Sequence, residues 1–129
     1  MNAPDQPKVL IVDDDKTNLR LLSDIIRSEA KVILALSGEQ ALKKTVEFKP
    51  DLILLDLIMP EMDGYKVLEK LKQATDTCHI PVVCVSGVEE DDEMEKALQL
   101  GACDYVKKPF HFEHVKEQIQ QHLRRLSQH

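Results

Sequence analysis

Four short apolar runs punctuate the chain, at residues 9–12, 32–36, 52–55 and 80–85. Each is too short to persist as a helix, and none alternates apolar with polar as a strand with one wet face does. Continuous Val, Ile and Leu of this length predict parallel strands buried on both faces. A fifth, shorter candidate covers 103–106, after the turn signal at Gly101. Between these runs the spacing turns helical. The first helical stretch puts Leu19, Leu22, Ile25 and Ile26 on one face. The second opens on a capping-box pattern, Ser37-x-x-Gln40, and is expected to bury Ala41, Leu42 and Val46. The third follows Asp63-Gly64 with Val67, Leu68 and Leu71. The fourth starts in the acidic run 89–93, which suits the positive end of a helix dipole, and continues through Met94, Ala97 and Leu98. The last presents Phe112, Val115, Ile119, Leu123 and Leu126 at spacings of three and four.

Strand and helix thus alternate five times, which predicts a single (βα)5 domain over 1–129 with 1–7 as an N-terminal tail. Right-handed crossovers would then place helices on both faces of a doubly wound parallel sheet, with the ligand crevice at the carboxyl ends of the strands. Composition agrees. With 43% hydrophobic and 31% charged residues, the 129-residue chain can bury a sizeable core and is not a disordered sequence. A net charge of −6 argues against direct contact with nucleic acid or an anionic membrane. Cys78, Cys84 and Cys103 form no C-x-x-C pair and read as reduced thiols, Cys84 and Cys103 as small core residues. No apolar leader opens the chain and no stretch nears the ~20 residues that span a bilayer, so a soluble, cytoplasmic protein is expected.

The chemistry lies immediately after the apolar runs. Asp13-Asp14-Asp15 follows the first and Asp56 the third. Ser86 follows the fourth, and Lys107, Lys108 and Pro109 the fifth. Helix capping explains Asp15 and Asp63 but not Asp56, which is separated from its helix by the stretch through Gly64. Carboxylates about 4 Å apart repel by roughly 4 kcal/mol at an effective dielectric near 20, so gathering them calls for a cation. All-oxygen ligands suit Mg²⁺ or Mn²⁺ rather than zinc. Such an ion would hold a phosphoryl group against one carboxylate while Ser86 and Lys108 donate to its outer oxygens: a site for an aspartyl phosphate.

Val9-Leu10-Ile11-Val12-Asp13-Asp14-Asp15, Leu54-Leu55-Asp56 through Met59-Pro60 to Asp63-Gly64, Val83-Cys84-Val85-Ser86-Gly87, and Gly101 through Tyr105 to Lys108-Pro109-Phe110 together resemble the CheY-like receiver domain of two-component response regulators. The resemblance covers nearly the whole chain, in order. It implies a flavodoxin-like strand order, 2-1-3-4-5. It implies Asp56 as phosphoacceptor and Mg²⁺ (or Mn²⁺) held by Asp14, Asp56 and the backbone carbonyl of Ile58, with Asp13 acting largely through water. It makes Ser86 and Lys108 ligands of the phosphoryl group, Tyr105 an aromatic switch that turns inward when Ser86 moves, and the Lys108–Pro109 bond cis. A histidine kinase or phosphotransfer protein is the implied donor. The surface of the fourth helix, fifth strand and fifth helix would control a downstream protein or an attached output domain, with a phosphorylation-dependent homodimer left open.

Asp13-x-Asp15-x-Thr17 also fits the first motif of haloacid-dehalogenase-like phosphatases, but the later acidic motif of that family is missing and Asp56 would be unexplained. An EF-hand loop from Asp13 would need Gly and Glu where Asn18 and Asp24 stand. His111 and His114 read as solvated, as does Lys107. The chain is therefore expected to be a regulatory phosphoacceptor rather than an enzyme, with at most slow self-dephosphorylation. The resemblance implies that the residues two beyond the phosphoacceptor and two beyond the hydroxyl residue influence attack by water; here they are Ile58 and Val88, both apolar and unable to orient one.

Overall fold

The computed structural model describes residues 6–59, 63–87, 91–107 and 111–127, with the backbone alone at 91–93 and 127. Strands and helices alternate along the chain: β1 (Lys8–Val12), α1 (Lys16–Ile26), β2 (Lys31–Ala35), α2 (Gly38–Phe48), β3 (Leu52–Asp56), α3 (Gly64–Gln73), β4 (Val82–Ser86), α4 (Asp91–Gln99), β5 (Asp104–Lys107) and α5 (Phe112–Ser127). The strands form one sheet in the order β2-β1-β3-β4-β5, every neighbouring pair parallel. This is the flavodoxin-like order and the doubly wound architecture expected from the sequence. Alternate strand residues feed two cores. Leu10, Val12, Ile53, Leu55 and Cys84 face the side covered by α2, α3 and α4. Val9, Ile11, Leu54, Val83 and Val85 face α1 and α5. Each such fully buried side chain contributes roughly 1.5–3 kcal/mol of transfer free energy, which is why the strands read as unbroken apolar runs. Among the described residues no helix is long and apolar enough to cross a membrane.

Local chemistry sets the helix starts. Asp15 accepts from the Thr17 N–H (2.8 Å), Ser37 from Gln40 (3.1 Å) and Asp63 from Tyr65 (2.9 Å). The Gln40 side chain reaches back to the Leu36 N–H at 2.9 Å, close to the reciprocal bond of a capping box. The fourth strand begins later than its apolar run because Pro81 has no N–H, and the Ile80 N–H closes a turn onto Thr77 (3.0 Å).

Several apolar residues sit outside the core, contrary to the periodicity. The buried stripe of α2 is Gly38, Ala41 and Thr45, with Leu42 partly covered, so Val46 turns outward and is 62% exposed. Thr45 is buried in its place because its hydroxyl donates to the Ala41 carbonyl at 2.6 Å. Leu98 points away from the sheet beside buried Ala97, and Phe112, at the first position of α5, is exposed as well. β2 is an edge strand and only partly covered, with Leu34 exposed. Its outer edge is blunted by Lys44, whose ammonium donates to the Leu34 carbonyl at 2.5 Å. Cys103 lies in the turn before β5 and is exposed rather than a core residue, whereas Cys84 is fully buried.

Candidate functional site

β1 and β3 are neighbours in a register that pairs Val12 with Leu55. The next residue of each strand is therefore an aspartate at the same edge of the sheet, Asp13 beside Asp56, and Asp14 follows. Carboxylate oxygens of Asp13, Asp14 and Asp56 lie within 4.8 Å of one another. Asp13 and Asp56 are almost wholly buried, 1% and 2% exposed, while Asp14 is exposed, so the cluster has a floor and one open lip.

Each acid is held by its own strand and turn. The Asp13 N–H continues the ladder to the Ala35 carbonyl (3.1 Å), and its Oδ1 accepts from the Asp15 N–H (2.9 Å). Asp56 Oδ1 accepts from the Ile58 N–H at 3.1 Å. Leu57 continues the β3 ladder through its N–H to the Val85 carbonyl (3.0 Å), and its own carbonyl accepts from the Gly64 N–H (3.1 Å). A glycine is required at 64: an added Cβ would stand 2.5 Å from both the Asp56 carbonyl oxygen and Leu57 Cα. The first turn of α3 is thus pressed directly onto the backbone that carries Asp56. Ile58, two positions beyond Asp56, is an apolar residue 56% exposed.

Ser86 ends β4, is fully buried, and stands across the ladder from Lys107. Val85, its predecessor, pairs with Asp56, so hydroxyl and carboxylate occupy the carboxyl ends of adjacent strands. Tyr105 lies in β5 opposite Cys84, is 7% exposed, and joins the same core cluster as Tyr65 and Ala97. The structure therefore brings Asp13, Asp14, Asp56 and Ser86 to one edge, with Tyr105 on the neighbouring strand. Lys108, Pro109 and Val88 fall outside the described residues. Lys107, His111 and His114 are exposed, as expected.

The sequence reading missed a buried histidine. His122 on α5 is buried, and its Nε2 lies 2.7 Å from Asp104 Oδ2. Burial pushes the Asp104 carboxyl upward, but hydrogen bonds from His122, Gln118 and the Tyr105 N–H outweigh it and hold its pKa below the ordinary value. Gln118 Nε2 also donates to the Tyr105 carbonyl at 2.9 Å, so two α5 side chains tie down β5 around Tyr105. The readable signal was position: His122 falls three residues after Ile119, on the apolar stripe of α5. Two of the thiols are disfavoured as thiolates. Burial pushes Cys84 up to about 12 and raises Cys103 as well. Lys72 Nζ donates to the carbonyls of Ile80 (2.6 Å) and Cys78 (3.2 Å), and burial lowers its pKa.

Carboxylate oxygens converging from three residues at a sheet edge form a hard-oxygen donor set of the kind Mg²⁺ or Mn²⁺ prefers. Known proteins resemble this chain in sequence and in fold. The family model described as "Response regulator receiver domain" matches residues 9–120. The alkaline phosphatase synthesis transcriptional regulatory protein PhoP of Bacillus subtilis is 39% identical over 119 residues, covering 92% of this chain and 49% of that protein. The response regulator PleD of Caulobacter vibrioides is 40% identical over 103 residues, covering 79% of this chain and 23% of that protein. The chain thus spans half or less of the length of these curated relatives. Among solved structures, a two-component response regulator from Clostridium difficile superposes with a TM-score of 0.86 at 32% identity, covering 94% of this chain and 98% of that one. Matched over most of its length by sequence and by fold, the chain belongs to the response regulator receiver domain family, the regulatory module of two-component signalling.

Proposed function

We propose that residues 1–129 form one receiver unit, with 1–7 leading into β1, and that Asp56 accepts a phosphoryl group from a phosphohistidine on a histidine kinase or phosphotransfer protein. The observation that carries this reading is the convergence of the Asp13, Asp14 and Asp56 carboxylates at the carboxyl edge of the sheet. A carboxylate oxygen of Asp56 attacks phosphorus, the P–N bond breaks, and its electron pair returns to the donor imidazole. Asp14, Asp56 and the Ile58 carbonyl would hold Mg²⁺, with Asp13 acting through water. The ion would supply neutralisation of the charge on the transferring group. Ser86 and Lys108 then donate to the phosphoryl oxygens and Tyr105 repacks. A groove of about 670 Å³ beside Tyr105, lined by Met94, His114 and Gln118, gives the α4-β5-α5 face its relief. That face is where a downstream protein, an attached output domain or a second copy would read the change. Modification adds charge and acceptor oxygens, and it shifts the population between two arrangements by their difference in contacts. The reduced cysteines fit the cytoplasm, and the net charge of −6 speaks against direct nucleic-acid or membrane binding.

Calorimetric titration with Mg²⁺ tests the site. The expected result is one-site uptake that weakens about tenfold or more in Asp14→Asn, the scale at which losing a group that supports a metal site is felt. Absence of uptake, or uptake indifferent to Asp14, would contradict the proposal.

A further inference from the structure

We infer that Lys96 and Tyr65 form a latch between α4 and the start of α3, giving the state of Asp56 a second route to α4, separate from Ser86 and Tyr105. The latch rests on the switch function proposed above and adds a residue pair that sets its balance. The ammonium of Lys96 lies 4.4 Å from the centroid of the Tyr65 ring. A cation within about 6 Å of an aromatic face is drawn to the ring quadrupole, an attraction worth a factor of about two to five in an equilibrium constant at an exposed site.

Both ends of this contact matter. On the α3 side, Tyr65 is 7% exposed and its N–H is fixed by Asp63 at 2.9 Å. Gly64, its predecessor, donates to the Leu57 carbonyl and packs against the Asp56 backbone too closely for a Cβ to fit. The backbone that carries the ring is therefore tied to the segment that carries the phosphoacceptor. On the α4 side the anchoring is thin. Ala97 is the one buried residue of α4 among the described residues, and Met94 is partly covered. α1 buries Leu19, Leu22, Ile25 and Ile26, and α3 buries Tyr65, Val67, Leu68, Leu71 and Gly64. A helix with so little apolar burial moves at small cost, so one contact biases its position measurably. Tyr65, Ala97 and Tyr105 share one core cluster, so the latch is closed in the arrangement with Tyr105 inside. By the receiver resemblance an inward Tyr105 belongs to the phosphorylated form, so the latch favours activation.

The test follows α4 and Tyr105 amide resonances during titration with beryllofluoride and Mg²⁺. Lys96→Met keeps the aliphatic stem and removes the charge, whereas Lys96→Arg keeps a cation over the ring. The expected result is a two- to fivefold rise in the beryllofluoride concentration for half-conversion in Lys96→Met and near-wild-type behaviour in Lys96→Arg. The Lys96 ε-methylene proton resonances should also be shifted upfield in the wild type, and the shift should vanish in Tyr65→Leu. A wild-type response that persists undiminished in Lys96→Met, or falls equally in Lys96→Arg, would overturn the latch alone. A wild type with no response beyond that of Asp56→Ala would overturn the switch reading, and the latch with it.

Discussion

Two nearly buried carboxylates and an exposed third at one point make an arrangement a fold sustains only with compensating cations or donors. At Asp56 the exposed neighbour Ile58 adds a kinetic consequence, because its side chain offers a water no hydrogen bond. Ile58→Asn should speed loss of the phosphoryl group by roughly two- to tenfold, the worth of one hydrogen bond to the attacking water. Decay followed by release of inorganic phosphate checks this, and equal rates would refute it. Asp104 carries a prediction of a different kind. Its pKa is lower folded than unfolded, so the unfolded chain binds more protons in acid. The stability it contributes is complete above the ordinary carboxylate value of about 3.9 and disappears as pH falls through the lower folded value. Asp104→Asn should therefore cost about 1 kcal/mol at pH 7, a modest figure because the carboxylate is partly exposed, and the gap from wild type should close in acid. Urea unfolding at both pH values measures it. Asp13, Asp56 and Ser86 were legible because each directly follows an apolar run. The Asp104–His122 pair was not, since it depends on how α5 is rotated over β5.

Among the elements, the β3-to-α3 connection is the most tightly constrained. A methyl group at Gly64 would collide with backbone rather than with a yielding side chain, so α3 or the Asp56 segment must move. Gly64→Ala is expected to destabilise by about 1–3 kcal/mol and to slow phosphorylation of Asp56. A shifted urea midpoint together with slower acetyl-phosphate labelling is the expected pair of results. The helices show what periodicity conveys and what it omits. Spacing located α1 and α3 with their buried faces intact, because both bury a broad stripe of large apolar side chains. It overreached at Val46, Leu98 and Phe112. α2 and α4 bury narrow stripes of small residues, and Phe112 opens its helix. Sequence spacing fixes the axis of an apolar stripe, not its width.

For the whole molecule, the order β2-β1-β3-β4-β5 turns scattered residues into a site. Parallel strands that run the same way all end at one edge, and right-handed crossovers put the helices on the two faces of the sheet. Any polar residue placed just after a strand therefore joins its counterparts from neighbouring strands. That is why four widely separated stretches, ending in Asp13, Asp56, Ser86 and Lys108, could be read together, although Lys108 lies outside the described residues. The site as a whole stands or falls on whether Asp56 takes up phosphate. Intact-protein mass spectrometry after incubation with acetyl phosphate and Mg²⁺ measures this most directly. The account predicts one added phosphoryl group on the wild-type chain, removed by chelating the metal beforehand and absent in Asp56→Ala. No mass gain in the wild type, or the same gain in Asp56→Ala, would contradict it.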